Sequence, residues 1–260
     1  MGHNLLGVLP RTKRWSEVVS RLEDGGTTAS VATAGIRAAE TQFLRASRDP
    51  VFVEAVRILL SVPLAARDEK FGEALRDADI PVSGDPELLD LLTAATVRLD
   101  EVRSGASNTS DMGELAGRAL ISTLSRAIGG ALPGLFEATP EDVRARTRQL
   151  SWSKGISELS RQFFGELMAE TLSYWLDRTL ATHVGTGLRF EDVASRNAFD
   201  VDMRSYTMNI TRIIQEFSGG WYGKTLHKKG FFGSGEAAEF GAVALKKIVS
   251  ELKRDYVIDA

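Results

Sequence analysis

The chain has 260 residues, 43% of them hydrophobic and 26% charged, which is enough apolar material for a sizeable core and excludes a disordered chain. Its formal net charge of -3 excludes the overall basic bias of a dedicated nucleic-acid coat, although residues 201–260 carry nine Lys/Arg against seven Asp/Glu and form the basic end. The absence of cysteine excludes disulfides, thiolate metal sites and thiol nucleophiles, and the three histidines, His3, His183 and His227, are too dispersed to suggest a metal site.

The opening MGHNLLGVLPRTKRW has a short apolar run followed, not preceded, by its basic residues, unlike a signal peptide. Leu6 stands where N-myristoylation of Gly2 requires Ser or Thr. No apolar run approaches the roughly 20 residues needed to span a bilayer. The expectation is a cytoplasmic protein with no membrane partner.

Helical periodicity dominates throughout. The expected fold class is all-α, a multi-helix orthogonal or bundle-like domain of eight to ten helices without substantial sheet. A first helix is predicted near Lys13 to Glu23, with Trp15, Val18, Val19 and Leu22 on one face and Asp24-Gly25-Gly26 as its stop. A second covers residues 27–47, rich in alanine and threonine, with Val31, Ile36, Ala39, Phe43 and Leu44 for burial. Asp49 and Pro50 open the next, the carboxylate as cap and proline where a missing N–H costs nothing, and Pro63 bends or ends it. The same device recurs at Asp85-Pro86-Glu87 and at Thr139-Pro140-Glu141-Asp142.

From Pro86 to about Arg103, Leu88, Leu92, Ala95, Leu99 and Val102 alternate steps of four and three, a stripe suited to packing within the domain. The small polar run 104–111 is a surface loop or a hinge, so the expected organisation is one helical domain over 1–260, with a bilobed arrangement as the alternative. An apolar helix carries Leu115, Ala119, Leu120, Leu124 and Ile128. The longest helical stretch is predicted from Pro140 to about His183, with Gly155 and Gly165 as places where it breaks. His183 complements the dipole at its end. Glu191, Asp192, Asp200 and Asp202 would suit magnesium only with carboxylates from a second helix that the sequence does not single out; Asp192 and Asp202 are read as helix caps or starts. Tyr206, Ile210, Ile213, Ile214 and Phe217 mark a further amphipathic helix, and Phe240, Ala244, Ile248 and Leu252 the last.

Between those two lies FSGGWYGKTLHKKGFFGSGE, residues 217–236, read as a long loop. Loops of that length are often functional. Ser218 to Gly235 contains no acidic residue, and Trp221, Tyr222, Lys224, His227, Lys228, Lys229, Phe231 and Phe232 are the candidate binding residues, for nucleic acid or for a partner. Arg11, Lys13, Arg14, Lys246, Lys247, Lys253 and Arg254 would widen the patch. Ser218 to Thr225 also approximates a phosphate-binding loop, with Gly223, Lys224 and Thr225 matching its last three places. Ser218 occupies the first glycine position, and the required strand before the loop is missing. The structural alternative is that the aromatics pack on the core while the lysines stay solvated.

No G-x-S-x-G elbow is present, and Gly233 to Gly241 lacks the strand a nucleotide turn needs. The expected function is a non-catalytic helical interaction or assembly subunit without a cofactor, engaging a protein partner or itself. Nucleic-acid binding through 218–235 is the first alternative, and a nucleotide-dependent enzyme the remote one.

Overall fold

The order of elements follows from where the caps fall. The computed structural model describes residues 9–133 and 138–258, so Gly2, His3 and Leu6 lie outside the described residues, as do the side chains of Lys253 and Arg254. Twelve α-helices occur among the described residues: α1 (Lys13–Glu23), α2 (Thr28–Ala38), α3 (Glu40–Ala46), α4 (Pro50–Ala65), α5 (Phe71–Asp77), α6 (Leu88–Gly105), α7 (Asp111–Leu124), α8 (Pro140–Gln149), α9 (Ser153–Ala181), α10 (Val193–Ile210), α11 (Arg212–Lys229) and α12 (Ser234–Ile258). A π-helical turn over Ser125–Gly129 extends α7. Among the described residues the extended structure is limited to one isolated bridge, Val184 to Phe190, and no helix is long and apolar enough to cross a membrane.

The helix number exceeds the expected eight to ten because tertiary packing breaks stretches whose periodicity is continuous. Residues 27–47 divide at Ala39 into α2 and α3, and the stretch 140–183 divides at Leu150–Trp152, just before Gly155. Thr211 separates α10 from α11. The short α5 carried no expectation at all. Asp85 does not cap α6: that helix begins at Leu88 behind Glu87, whose N–H donates to Asp90 Oδ2 at 3.1 Å, while Asp85 accepts the N–H of Gly72 at 2.9 Å. Asp192 caps α10 through the Ser195 N–H at 2.8 Å, whereas Asp202 lies in mid-helix. His183 follows α9, its Nδ1 2.8 Å from the Thr179 carbonyl and its Nε2 3.5 Å from Glu23.

Two helices organise the rest. α4 is buried along most of its length and packs against α5, α6, α7, α8 and α12; α9 packs against α2, α7, α10 and α11. Their apolar side chains join one continuous cluster that runs from Trp15 in α1 to Leu252 in α12. Pro63 is accommodated in the last turn of α4.

The run 104–111 is tied down. Asp49, itself buried, caps α4 by accepting from the N–H groups of Val51 (2.8 Å) and Phe52 (3.1 Å) with Oδ1, and its Oδ2 accepts from both the N–H and the hydroxyl of Ser110 at 2.6 Å. One carboxylate therefore starts α4 and anchors the α6–α7 connection. Asp49→Ala should lower unfolding free energy by about 2–4 kcal/mol, since it removes a cap and leaves buried donors unpaired; Asp49→Asn should lose less. Urea denaturation followed by circular dichroism measures both.

Candidate functional site

The stretch read as a loop is mostly helix. α11 continues through Gly219, Gly220 and Gly223 to Lys229, and only Gly230–Gly233 connects it to α12. Glycine disfavours helix by about 1 kcal/mol per residue, but close packing reverses the preference at Gly219. A Cβ on Gly219 would lie 2.6 Å from the Ser153 carbonyl oxygen, and the Gly219 N–H donates to Ser157 Oγ at 3.0 Å, so the bare backbone seats α11 directly on α9. Gly230 then ends α11 in the left-handed conformation, φ 79°, with its N–H bonded to the Leu226 carbonyl at 2.8 Å.

This geometry distributes the eight candidate residues unequally. Tyr222 and Phe232 are buried, with rings stacked at 4.6 Å, and Trp221 is half-buried against Phe240 at 4.8 Å. Burial pushes the Tyr222 phenol well above its usual range, against the opposing charge of Arg67. Lys224, His227 and Lys228 are exposed near the end of α11, and Lys229 pairs with Glu236 at 3.6 Å. Phe231 is 60% exposed. Of the more distant cations, Arg14 pairs with Glu40 at 3.2 Å and Lys247 lies 5.3 Å over the Phe217 ring. Gly223, Lys224 and Thr225 sit inside α11, where a phosphate-cradling loop has no place.

Phe231 and Phe232 instead edge a cleft of about 710 Å³ between α4, the end of α5 and the start of α12. Along α4 the lining runs Arg57, Ser61, Leu64 and Ala65, at helical spacing; Arg67 and Asp68 from the turn after α4 and Arg98 from α6 join it, with Asp77 and Asp79 from the end of α5. None of these α4 and α5 residues stood out in the sequence. The one signal was Glu54 with Arg57, an i,i+3 charged pair inside an otherwise apolar helix.

Glu54 sets two of the guanidinium groups. Arg57 Nε and Nη2 donate to its two oxygens at 2.8 and 2.7 Å, and Arg98 Nε donates at 2.7 Å. Burial pushes the Glu54 carboxyl up, but the hydrogen bonds and charges of Arg57 and Arg98 together hold it below the usual carboxylate range. Arg57 Nη1 also donates to the Ala78 carbonyl at 2.7 Å, which fixes the end of α5 to α4.

That end of α5 is a Schellman turn: the Ile80 N–H bonds to the Leu75 carbonyl and the Asp79 N–H to the Arg76 carbonyl, both at 2.9 Å. Its left-handed position, usually glycine, is Asp79, with φ 55°. Among the described residues no other non-glycine has positive φ. Arg67 differs from Arg57 and Arg98 in forming no ion pair with a carboxylate among the described residues. Its Nε donates to Ser151 Oγ at 3.0 Å, its Nη2 to the Ser151 carbonyl, and its guanidinium lies 4.5 Å over Trp152, which is 56% exposed. Ser61 is largely buried, with its hydroxyl open to the cleft and not among the buried side-chain atoms left without a partner. Among the described residues there is also no grouping of His, Asp or Glu able to hold a metal ion.

One of these features opposes folding stability, since a left-handed L-residue costs roughly 1 kcal/mol. Asp79→Gly should therefore raise unfolding free energy by about 0.5–1 kcal/mol, read as a higher urea midpoint at unchanged slope.

Comparison with family models, with curated proteins and with solved structures finds no match for this chain.

Proposed function

We propose that the chain is a non-catalytic helical interaction subunit that receives a segment of a protein partner in the α4–α5–α12 cleft. The observation that carries this reading is a convergence. The left-handed Asp79 and the exposed Phe231 ring each work against stability or solubility, and both line one cleft. Departures from the local rules of folding gather at functional sites.

The cleft's composition suits a protein segment better than a polyanion. Its three arginines face Asp68, Asp77 and Asp79, so it offers both signs of charge around Leu64, Ala65, Ala74 and Phe231. An exposed aromatic at the mouth of such a cleft is the kind of anchor that dominates interface energetics. Panning random displayed dodecapeptides on the purified chain should enrich binders that Phe231→Ala weakens at least tenfold, with the melting curve unchanged. Failure to enrich any Phe231-dependent peptide would remove this reading.

A second reading keeps the polyanion contact, on the single ground that Lys224, His227 and Lys228 are exposed together at the end of α11. Helix C-termini favour cations for reasons of their own, and the buried Tyr222 and Phe232 offer no stacking surface. It predicts binding of single-stranded RNA or DNA with a salt slope reduced by about two when Lys224 and Lys228 are both reversed to Glu. Fluorescence anisotropy between 50 and about 200 mM salt decides it, and no binding at the low end overturns it.

A further inference from the structure

We infer that the partner segment binds in extended form and crosses the turn at Asp79, so that its backbone pairs with Asp79 and Arg98 and one of its apolar side chains enters a second hollow beyond them. This rests on the docking reading above and adds the conformation of the segment and a further subsite.

The second hollow, of about 520 Å³, is lined by Ile80, Pro81, Val82 and Ser83 from the connection between α5 and α6, together with Arg76 and Glu101. Asp79 and Arg98 line it too, and both also line the α4–α5–α12 cleft, so these two residues stand where the hollows adjoin. The connection is pinned to α5 twice. Arg76 Nη1 donates to the Val82 carbonyl at 3.1 Å, and the Gly72 N–H donates to Asp85 at 2.9 Å. The turn itself is fixed to α4 by Arg57 through the Ala78 carbonyl.

The shared residues carry a donor and an acceptor that the fold leaves unused. Arg98 gives Nε to Glu54 at 2.7 Å and Nη1 to Glu101 at 3.4 Å, which leaves Nη2 without an acceptor among the described residues. Asp79 is exposed, and its carboxylate makes no hydrogen bond or ion pair among the described residues, although Arg98 lies within its field. A peptide unit offers the complementary pair, an N–H for Asp79 and a C=O for Arg98. A helical segment spends those groups internally, whereas an extended one keeps them free and turns alternate side chains to one face. The left-handed φ of 55° at residue 79 would suit glycine better, but glycine supplies no acceptor. A compact apolar ligand would fill one hollow and gain nothing from the other. A polyanion would meet Asp68, Asp77, Asp79 and Glu101 around the two.

The experiment uses the full chain and the Phe231-dependent peptides enriched by display, resynthesised with acetylated and amidated ends, with affinities from fluorescence anisotropy. Asp79→Gly should weaken them about fivefold, the worth of one hydrogen bond, while raising the melting temperature; a purely structural residue does not give that pair of effects. Asp79→Asn keeps an acceptor and tolerates the left-handed turn, so its binding should stay within about twofold of the native chain. Scanning each peptide with backbone N-methyl groups should find one position where methylation weakens binding to the native chain but not to Asp79→Gly. Ser83→Trp, at an exposed position, should fill the second hollow and weaken the full-length peptides about tenfold, yet leave unchanged the same peptides truncated at the end that reaches it. Phe231-dependent binders indifferent to Asp79→Gly or to Ser83→Trp would overturn this inference and leave the docking reading standing. An absence of Phe231-dependent binders overturns both.

Discussion

The arrangement around the cleft depends on the burial of one carboxylate. Glu54 sits in α4, a helix buried along most of its length, and an ionised carboxylate there is tolerable only if its lone pairs are filled. Arg57 fills two of them from the same helix, and Arg98 reaches across from α6. The second helix is therefore recruited by electrostatics as well as by its apolar stripe. Because Arg57 carries a further donor, it also holds the Ala78 carbonyl and so fixes the turn that carries Asp79. Three helices are locked into one register by a group that would otherwise be a large liability. The cost of this arrangement is that two of the cleft's three guanidiniums have little charge left to offer.

Much of the fold was legible in the sequence, because capping chemistry is local. Asp49-Pro50 and Thr139-Pro140 start helices as their residue types require, and the apolar stripe of α6 faces the core. The misreadings share a cause. At Ala39, at Leu150–Trp152 and at Thr211 the periodicity runs on but the chain turns, since a helix must follow the surface it packs on. The opposite error occurred at residues 218–229, where Gly-Gly and Gly223 suggested a loop. At Gly219 the absence of a side chain is what allows α11 to sit on α9, so packing outweighs intrinsic propensity there, whereas a Cβ on Gly220 or Gly223 would meet open space. A glycine run between amphipathic segments is ambiguous until the neighbouring helix is known.

The cleft was legible only in part, for a related reason. Phe231 and Phe232 were visible as aromatics next to a glycine-rich run, and both reached the cleft, one exposed and one buried. Trp221 and Tyr222, read together with them, turned inward, because a helix separates neighbours by 100° and a loop does not. Arg57 and Ser61 could not be singled out, since at helical spacing within an apolar segment they resemble ordinary surface punctuation, and Arg67 falls in the turn that follows it. Asp79 carried no signal at all: its left-handed conformation is a property of the turn after α5, and that turn is specified by the hydrogen bonds of Ile80 and Asp79 to α5, not by residue type.

The distribution of charge explains why such a cleft would select more than it would hold. Most of its charged groups stand at an open rim, where ion pairs contribute little net affinity because water and salt screen them. Their contribution is to discriminate, since a segment that places like charge against like is disfavoured. Affinity must come from the apolar middle, where Phe231, Leu64 and Ala65 are available, and from the rigidity of the wall behind it. That wall is α4, which has no freedom to rearrange because its other faces are core. The opposing wall is different in kind: Phe231 belongs to the four-residue connection Gly230–Gly233, bounded by glycine at both ends, so the ring can adjust without disturbing either helix. A fixed floor carrying both signs of charge, under an aromatic held by a short connection, is suited to admitting a segment whose charges complement it while tolerating variation in the side chain that fills the middle.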